Sequence, residues 1–182
     1  MSAAMIRLRS ALRCIVAMAM AAAMPNAHAH SASDAYLTLE AAGASGGETI
    51  VRAQWDIALR DLDFALGLDA DGDGIITWGE LRERQEAVAR YAYGFVSASA
   101  GGRACSLRPV RQRVANHADG AYAALSFDIV CPASPDKVKL DYRAFFAVDP
   151  SHRCILVMRS RGEAATALLS PQNASVELKI QR

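Results

Sequence analysis

Asp69-Ala-Asp-Gly-Asp-Gly-Ile-Ile-Thr-Trp-Gly-Glu80 is the stretch on which the reading of this chain turns. It places oxygen-bearing side chains at the spacing of a twelve-residue EF-hand loop. Asp69, Asp71 and Asp73 fall at positions 1, 3 and 5, Thr77 at position 9 and Glu80 at position 12. Gly74 falls at position 6, where the chain turns sharply, and Ile75 at position 7 offers its backbone carbonyl. A calcium ion takes six to eight oxygens, so its ligands must converge on one point. Side chains two residues apart do not share a helix face, so Asp69, Asp71 and Asp73 require a tight loop instead. Four carboxylates in a dozen residues repel one another without a cation, and such a loop is expected to need one to be ordered. Asp-Gly pairs also mark ordinary solvated turns, but an ordinary turn has no use for the full set. Magnesium is the weaker candidate, because it prefers a smaller octahedral shell that retains water.

Outward from this loop the periodicity changes twice. Leu62, Phe64, Ala65 and Leu66 lead in with helix-like spacing, and Gly67 cuts that helix short. Leu81 to Tyr93 is rich in good helix formers, with an apolar stripe of Leu81, Val88, Ala92 and Phe95. The Ser-Ala-Ser-Ala-Gly-Gly run at 97–102 is expected to end it. Asp61 and Asp63 read as partners of a helix N-terminal dipole. The helix–loop–helix thus covers about residues 60–95.

Beyond it, strand signals dominate. Ala35 to Ala41 alternates, a Gly- and Ser-containing turn follows at 43–47, and Val51, Ala53, Trp55 and Ile57 alternate with Arg52, Gln54 and Asp56. Further strands are expected at Cys105–Val114, Ala121–Cys131, Val138–Ala147, Cys154–Arg159, Ala165–Leu169 and Ser175–Ile180. Asp119-Gly120, Asp149-Pro150 and Ser170-Pro171 punctuate them. The expected fold is mainly β with a helical insertion: an antiparallel β-sandwich-like domain carrying a single EF-hand helix–loop–helix. No second loop of this spacing exists, so the hand must pack on the β domain, a second copy or a partner.

Residues 1–29 have the layout of a secretory signal: Arg7, Arg9 and Arg13, then apolar Cys14 to Met24, then Ala27-His-Ala29 as a cleavage site. The apolar run is too short to span a bilayer, and no later stretch is long enough, so the mature chain has no expected transmembrane segment. A mature chain of 30–182 suits one exported domain, periplasmic or secreted. Removing the leader takes three Arg and no acid, leaving 17 basic and 19 acidic residues. With three Lys and no basic stripe, nucleic acid is excluded as a partner.

An oxidising compartment favours a disulfide. If the strands flanking Asp119-Gly120 pair, Cys105 and Cys131 come close, and Cys154 is left free. His30 would begin the mature chain, and a free amine with its own imidazole can chelate a transition metal; a frayed terminus is the commoner outcome. His117 and His152 fall in expected turns and read as solvated. Trp55 and Trp78 read as packing residues. There is no nucleophile elbow, phosphate-binding loop or zinc-protease helix, so no enzyme is expected.

Tyr36-Leu-Thr-Leu39, Gln54-Trp-Asp-Ile-Ala-Leu-Arg-Asp-Leu-Asp63, Leu68-Asp-Ala-Asp-Gly-Asp-Gly74 and Ile76-Thr-Trp-Gly-Glu80 together resemble the N-terminal extracytoplasmic region of bacterial HupE/UreJ-type membrane proteins. Asp141-Tyr142, Phe145-Phe146 and Asp149-Pro-Ser-His-Arg153 resemble it more loosely. The resemblance implies an association with hydrogenase and urease accessory functions, or with nickel or cobalt transport. The transport residues of that family lie in a membrane region that this sequence does not contain. Two functions are therefore expected. The first is calcium binding by an exported domain in a structural or sensory role. The second is an accessory module for nickel, cobalt or copper transport that binds a transition metal at His30, or a membrane or exported protein partner.

Overall fold

The computed structural model describes residues 33–132, 135–160 and 162–180. The expected signal segment, its cleavage site and His30 lie outside them. The chain is mainly β, in two sheets that share one core. β1 (Asp34–Ser45) and β2 (Glu48–Ala58) form a hairpin. α1 (Leu59–Leu66), α2 (Trp78–Glu83) and α3 (Gln85–Gly94) follow, with the acidic loop between α1 and α2. β3 (Val96–Ala100) and the two-residue β4 (Arg103–Ala104) lead to the long hairpin of β5 (Ser106–His117) and β6 (Gly120–Pro132). β7 (Lys137–Tyr142), β8 (Arg153–Ser160), β9 (Glu163–Leu169) and β10 (Ser175–Lys179) complete the fold.

The larger sheet runs β5-β6-β2-β1-β8-β9 and the smaller β10-β7-β3-β4. β2 is the hub, pairing antiparallel with β1 and β6. Its period of two puts Val51, Ala53, Trp55 and Ile57 in the core. From the opposite sheet Tyr142 meets Trp55 edge-on, with ring centroids 5.4 Å apart. Val96, Ala98, Leu140 and Leu178 complete that side. Pairing is antiparallel except for β1 with β8, which run parallel from Asp34↔Arg153 to Glu40↔Arg159.

The helices dock through Leu59 and Leu62 from α1, Leu81 from α2, and Val88 and Ala92 from α3, all buried. Fully burying a leucine contributes about 1.5–3 kcal/mol, so Leu62, Leu68 and Leu81 hold the helices and both loop ends against the sandwich. Phe64 points away instead and is 75% exposed, and Phe95 is also exposed. The exit helix is broken at Arg84 rather than continuous to Tyr93. From this break the Arg84 guanidinium donates to the Gly67 carbonyl, 3.3 Å away, bridging the two sides of the loop.

Two further elements differ from expectation. The Ser/Ala run forms strand β3, because Val96, Ala98 and Ala100 alternate into the core while Ser97 and Ser99 face outward; Gly101 and Gly102 then turn the chain. β7 stops at Tyr142 rather than Ala147. Phe145 adopts φ +64°, and its carbonyl accepts from Val148 N and Asp149 N, closing a turn that buries its ring. Among the described residues no helix is long and apolar enough to cross a membrane.

Cys105 and Cys131 form a disulfide, and Cys154 is free and buried. Cys105 lies where the chain passes from β4 of one sheet to β5 of the other, so the bond pins that crossover to β6. The cysteines are 26 residues apart. A loop of that length restricts the unfolded chain enough to contribute about 3.5 kcal/mol in the chain-entropy account. Reduced protein is therefore expected to unfold at lower denaturant by about that free energy; equal midpoints with and without reductant would show the bond to be energetically idle.

Candidate metal centre

The carboxylates of Asp69, Asp71 and Asp73 converge, offering oxygens that all lie within 4.8 Å of one another. The backbone makes this possible. Gly72 and Gly74 adopt φ +74° and +82°, a region open to glycine at little steric cost, and nothing stands within 4 Å of where a Cβ would be. The loop's own amides take up the negative charge. Asp69 accepts from Gly72 N at 2.7 Å through Oδ1 and from Gly74 N at 2.8 Å through Oδ2. Asp71 Oδ1 accepts from Asp73 N at 3.2 Å, and Asp73 Oδ1 from Ile75 N at 2.7 Å. These bonds offset part of the mutual repulsion.

Glu80 stands outside that trio. Its Oε1 accepts from Ala70 N at 2.7 Å, and its Oε2 from Thr77 N and Thr77 Oγ, both at 2.8 Å. Thr77 is the N-cap of α2 and its Oγ accepts from Glu80 N, so the pair forms a capping box. Glu80 thus ties loop position 2 to position 9, and the Thr77 and Ala70 amides hold its carboxyl below the usual carboxylate range. Capping gives this glutamate a structural task that the spacing alone did not disclose. Ile75 and Thr77 lie on the exposed face of the loop.

The entrance is held by a residue assigned elsewhere from the sequence. Asp63 sits at the fifth position of α1, too far in to serve the N-terminal dipole. Its Oδ1 accepts from Leu68 N at 2.7 Å and Asp69 N at 2.9 Å, while its carbonyl accepts from Gly67 N. Asp63 therefore caps the far end of the helix and orients the first loop ligand. Trp78 is 52% exposed and lines a shallow apolar groove with Leu59, Ile76, Val114 and Ala121. Trp55 is the packing residue of the two.

Neither His117 nor His152 is a solvated turn residue. His117 ends β5, bonds Asp56 Oδ2 through Nε2 at 2.9 Å and stacks on the Tyr36 ring at 5.0 Å. His152 is fully buried. Tyr142 OH lies 2.7 Å from its Nε2 and Ser33 Oγ 2.6 Å from its Nδ1, and Ser33 donates to Asp61 Oδ2 at 2.8 Å. Burial drives the His152 pKa down to about 4, with Asp149 opposing, so the ring is neutral at pH 7. Burial raises Asp61, with the Ser33 hydroxyl opposing. The serine donates to the carboxylate rather than to the imidazole, and both ring nitrogens are engaged. This is not the order of a nucleophile–base relay. Burial also raises Cys154, which keeps it a thiol.

No protein-family model and no curated protein matches the chain.

Two outcomes follow from these contacts. Asp63→Ala strips the partner from two amides and is expected to lower stability by about 1–2 kcal/mol, read by chemical denaturation; an unchanged midpoint contradicts the capping role. The second concerns acid. His152 binds its proton near pH 6.5 when unfolded and near 4 when folded. Its contribution is complete above pH 6.5, falls as pH drops towards 4 and levels off below, to a total of at most about 3.4 kcal/mol. Asp61, raised above its ordinary value, acts in the opposite sense from pH 3.8 upward. His152→Gln is therefore expected to flatten the pH dependence of stability between 6.5 and 4, as measured by urea midpoints across that range.

Proposed function

We propose that the loop Asp69–Glu80 binds a calcium ion, and that the protein is an exported calcium-binding domain with a structural or sensory role and no catalytic activity. The observation that carries this reading is the convergence of the Asp69, Asp71 and Asp73 oxygens on a loop anchored at both ends. The Ile75 carbonyl, Thr77 and Glu80 complete an all-oxygen donor set, which suits a hard cation. Gly74 supplies the turn between the two halves of that set. Magnesium fits less well, because its octahedral shell leaves little use for so many protein oxygens. The Cys105–Cys131 disulfide supports a periplasmic or secreted location. The resemblance of Gln54–Glu80 to the outer region of HupE/UreJ-type proteins agrees with an extracytoplasmic setting for this loop. The alternative of a transition-metal accessory module turns on His30, which lies outside the described residues.

Glu80→Gln is the informative variant. The glutamine oxygen can keep the capping box with Thr77, so helix α2 should survive while the charge at position 12 and the acceptor for Ala70 N are lost. Affinity on the order of 10⁻⁴ to 10⁻³ M is expected, as for other extracellular modules, with marked weakening in the variant. Titration calorimetry on both proteins, alongside Trp78 fluorescence, checks this. At about 100 times the dissociation constant, calcium should add about 2.7 kcal/mol of stability. Absence of retained calcium at millimolar concentration, or equal affinity in the two proteins, refutes the assignment.

A further inference from the structure

A second site lies on the other side of α1. The turn after β7 and the exposed flank of α1 enclose a cavity of about 210 Å³ lined by Ser33, Asp61, Phe64, Phe145, Val148 and Asp149. Its charge is negative. The Asp61 side chain is 11% exposed; burial does most to raise its pKa, the Ser33 hydroxyl and Arg60 oppose, and the Asp149 carboxylate on the same cavity wall adds to the rise. Arg60 approaches Asp61 at 3.6 Å, but it is also shared with Asp119 at 3.7 Å. His152, 3.9 Å from Asp61, is neutral at pH 7. Apart from Ser33, whose hydroxyl is taken up by Asp61 and His152, the remaining walls are hydrocarbon. Phe145 is buried, whereas Phe64 and Val148 stand 75% and 46% exposed at the rim.

These walls select the ligand. An anion is repelled by two carboxylates. A divalent metal needs six or more oxygens, or a shell of water, and half of this lining offers neither. A neutral apolar molecule would desolvate the carboxylates without giving them a partner. A cation carrying its own alkyl groups meets both demands, because phenyl faces attract positive charge and the carboxylates complete the neutralisation.

We propose that this cavity binds a compact organic ammonium ion, its charged head on the Asp61 and Asp149 carboxylates and its alkyl groups against Phe64, Phe145 and Val148. The site does not depend on the calcium loop.

Choline and its uncharged carbon isostere 3,3-dimethylbutan-1-ol are the probes, titrated into the full protein by calorimetry. Choline should bind saturably, and the isostere about tenfold more weakly or not at all. Phe64→Ala alters an exposed side chain and should not disturb folding. Asp149→Asn keeps the oxygen that Ser151 N and Ser151 Oγ donate to. Each variant should weaken choline about three- to tenfold while leaving the circular dichroism spectrum unchanged. Equal binding of the two probes, no saturable choline binding, or unchanged affinity in either variant overturns the proposal.

Discussion

Everything distinctive about this molecule depends on leucines that sit within a residue or two of charge. Leu68 is fully buried, and its neighbour Asp69 opens the acidic loop; Leu81 is fully buried, and its neighbour Glu80 closes it. The chain must pass from the hydrocarbon core to water and back within that span. The apolar anchors at each end fix where the loop starts and stops, and the carboxylates between them are left to arrange themselves against backbone amides. Burial, a non-directional force, thereby sets the geometry of a directional site. Asp63 refines the entrance by holding the amides on both sides of the Leu68–Asp69 boundary.

Much of this was legible in the residues. The alternation of Val51, Ala53, Trp55 and Ile57 gave a buried strand, and the phase of Cys131 with Leu125, Phe127 and Ile129 placed a cysteine on the core face of β6. Pairing about Asp119-Gly120 then brought Cys105 to it. Local pattern failed where small residues did the packing. Val96-Ser-Ala-Ser-Ala100 has the composition of a breaker but alternates like a strand, with Val96, Ala98 and Ala100 buried at every second position. It failed also for His152, since a histidine beside Asp149 and Pro150 looks solvated until Tyr142 and Ser33 are folded around it. The β1–β8 pairing left no trace in either strand, because nothing in a β-strand's own sequence names a distant partner.

The buried polar residues form a second layer of order beneath the apolar one. Tyr142, His152, Ser33 and Asp61 run as a chain of hydrogen bonds from the core of the smaller sheet, through the segment before β1, to α1. α1 has no side chain capping its N-terminus, and Asp61 in its first turn ties it to this chain instead. A fully satisfied buried network of this kind fixes one arrangement among those that hydrophobic packing alone would tolerate. The same residues leave the Asp61 carboxylate beside the cavity behind α1, where Phe64 projects.

The parallel seam between β1 and β8 carries a kinetic consequence. Ser33 and His152, which immediately precede the two strands, are 119 positions apart. The larger sheet therefore cannot be assembled by successive hairpins: β2 can zip onto β1, and β6 onto β5, but β8 must find its place from across nearly the whole domain. Long-range pairing of this kind slows folding, because the entropy of closing the intervening chain is lost before any contact repays it. Until β8 arrives, β1 presents an unpaired edge, and during that interval the half-built sheet is exposed to capture by another copy or by a chaperone.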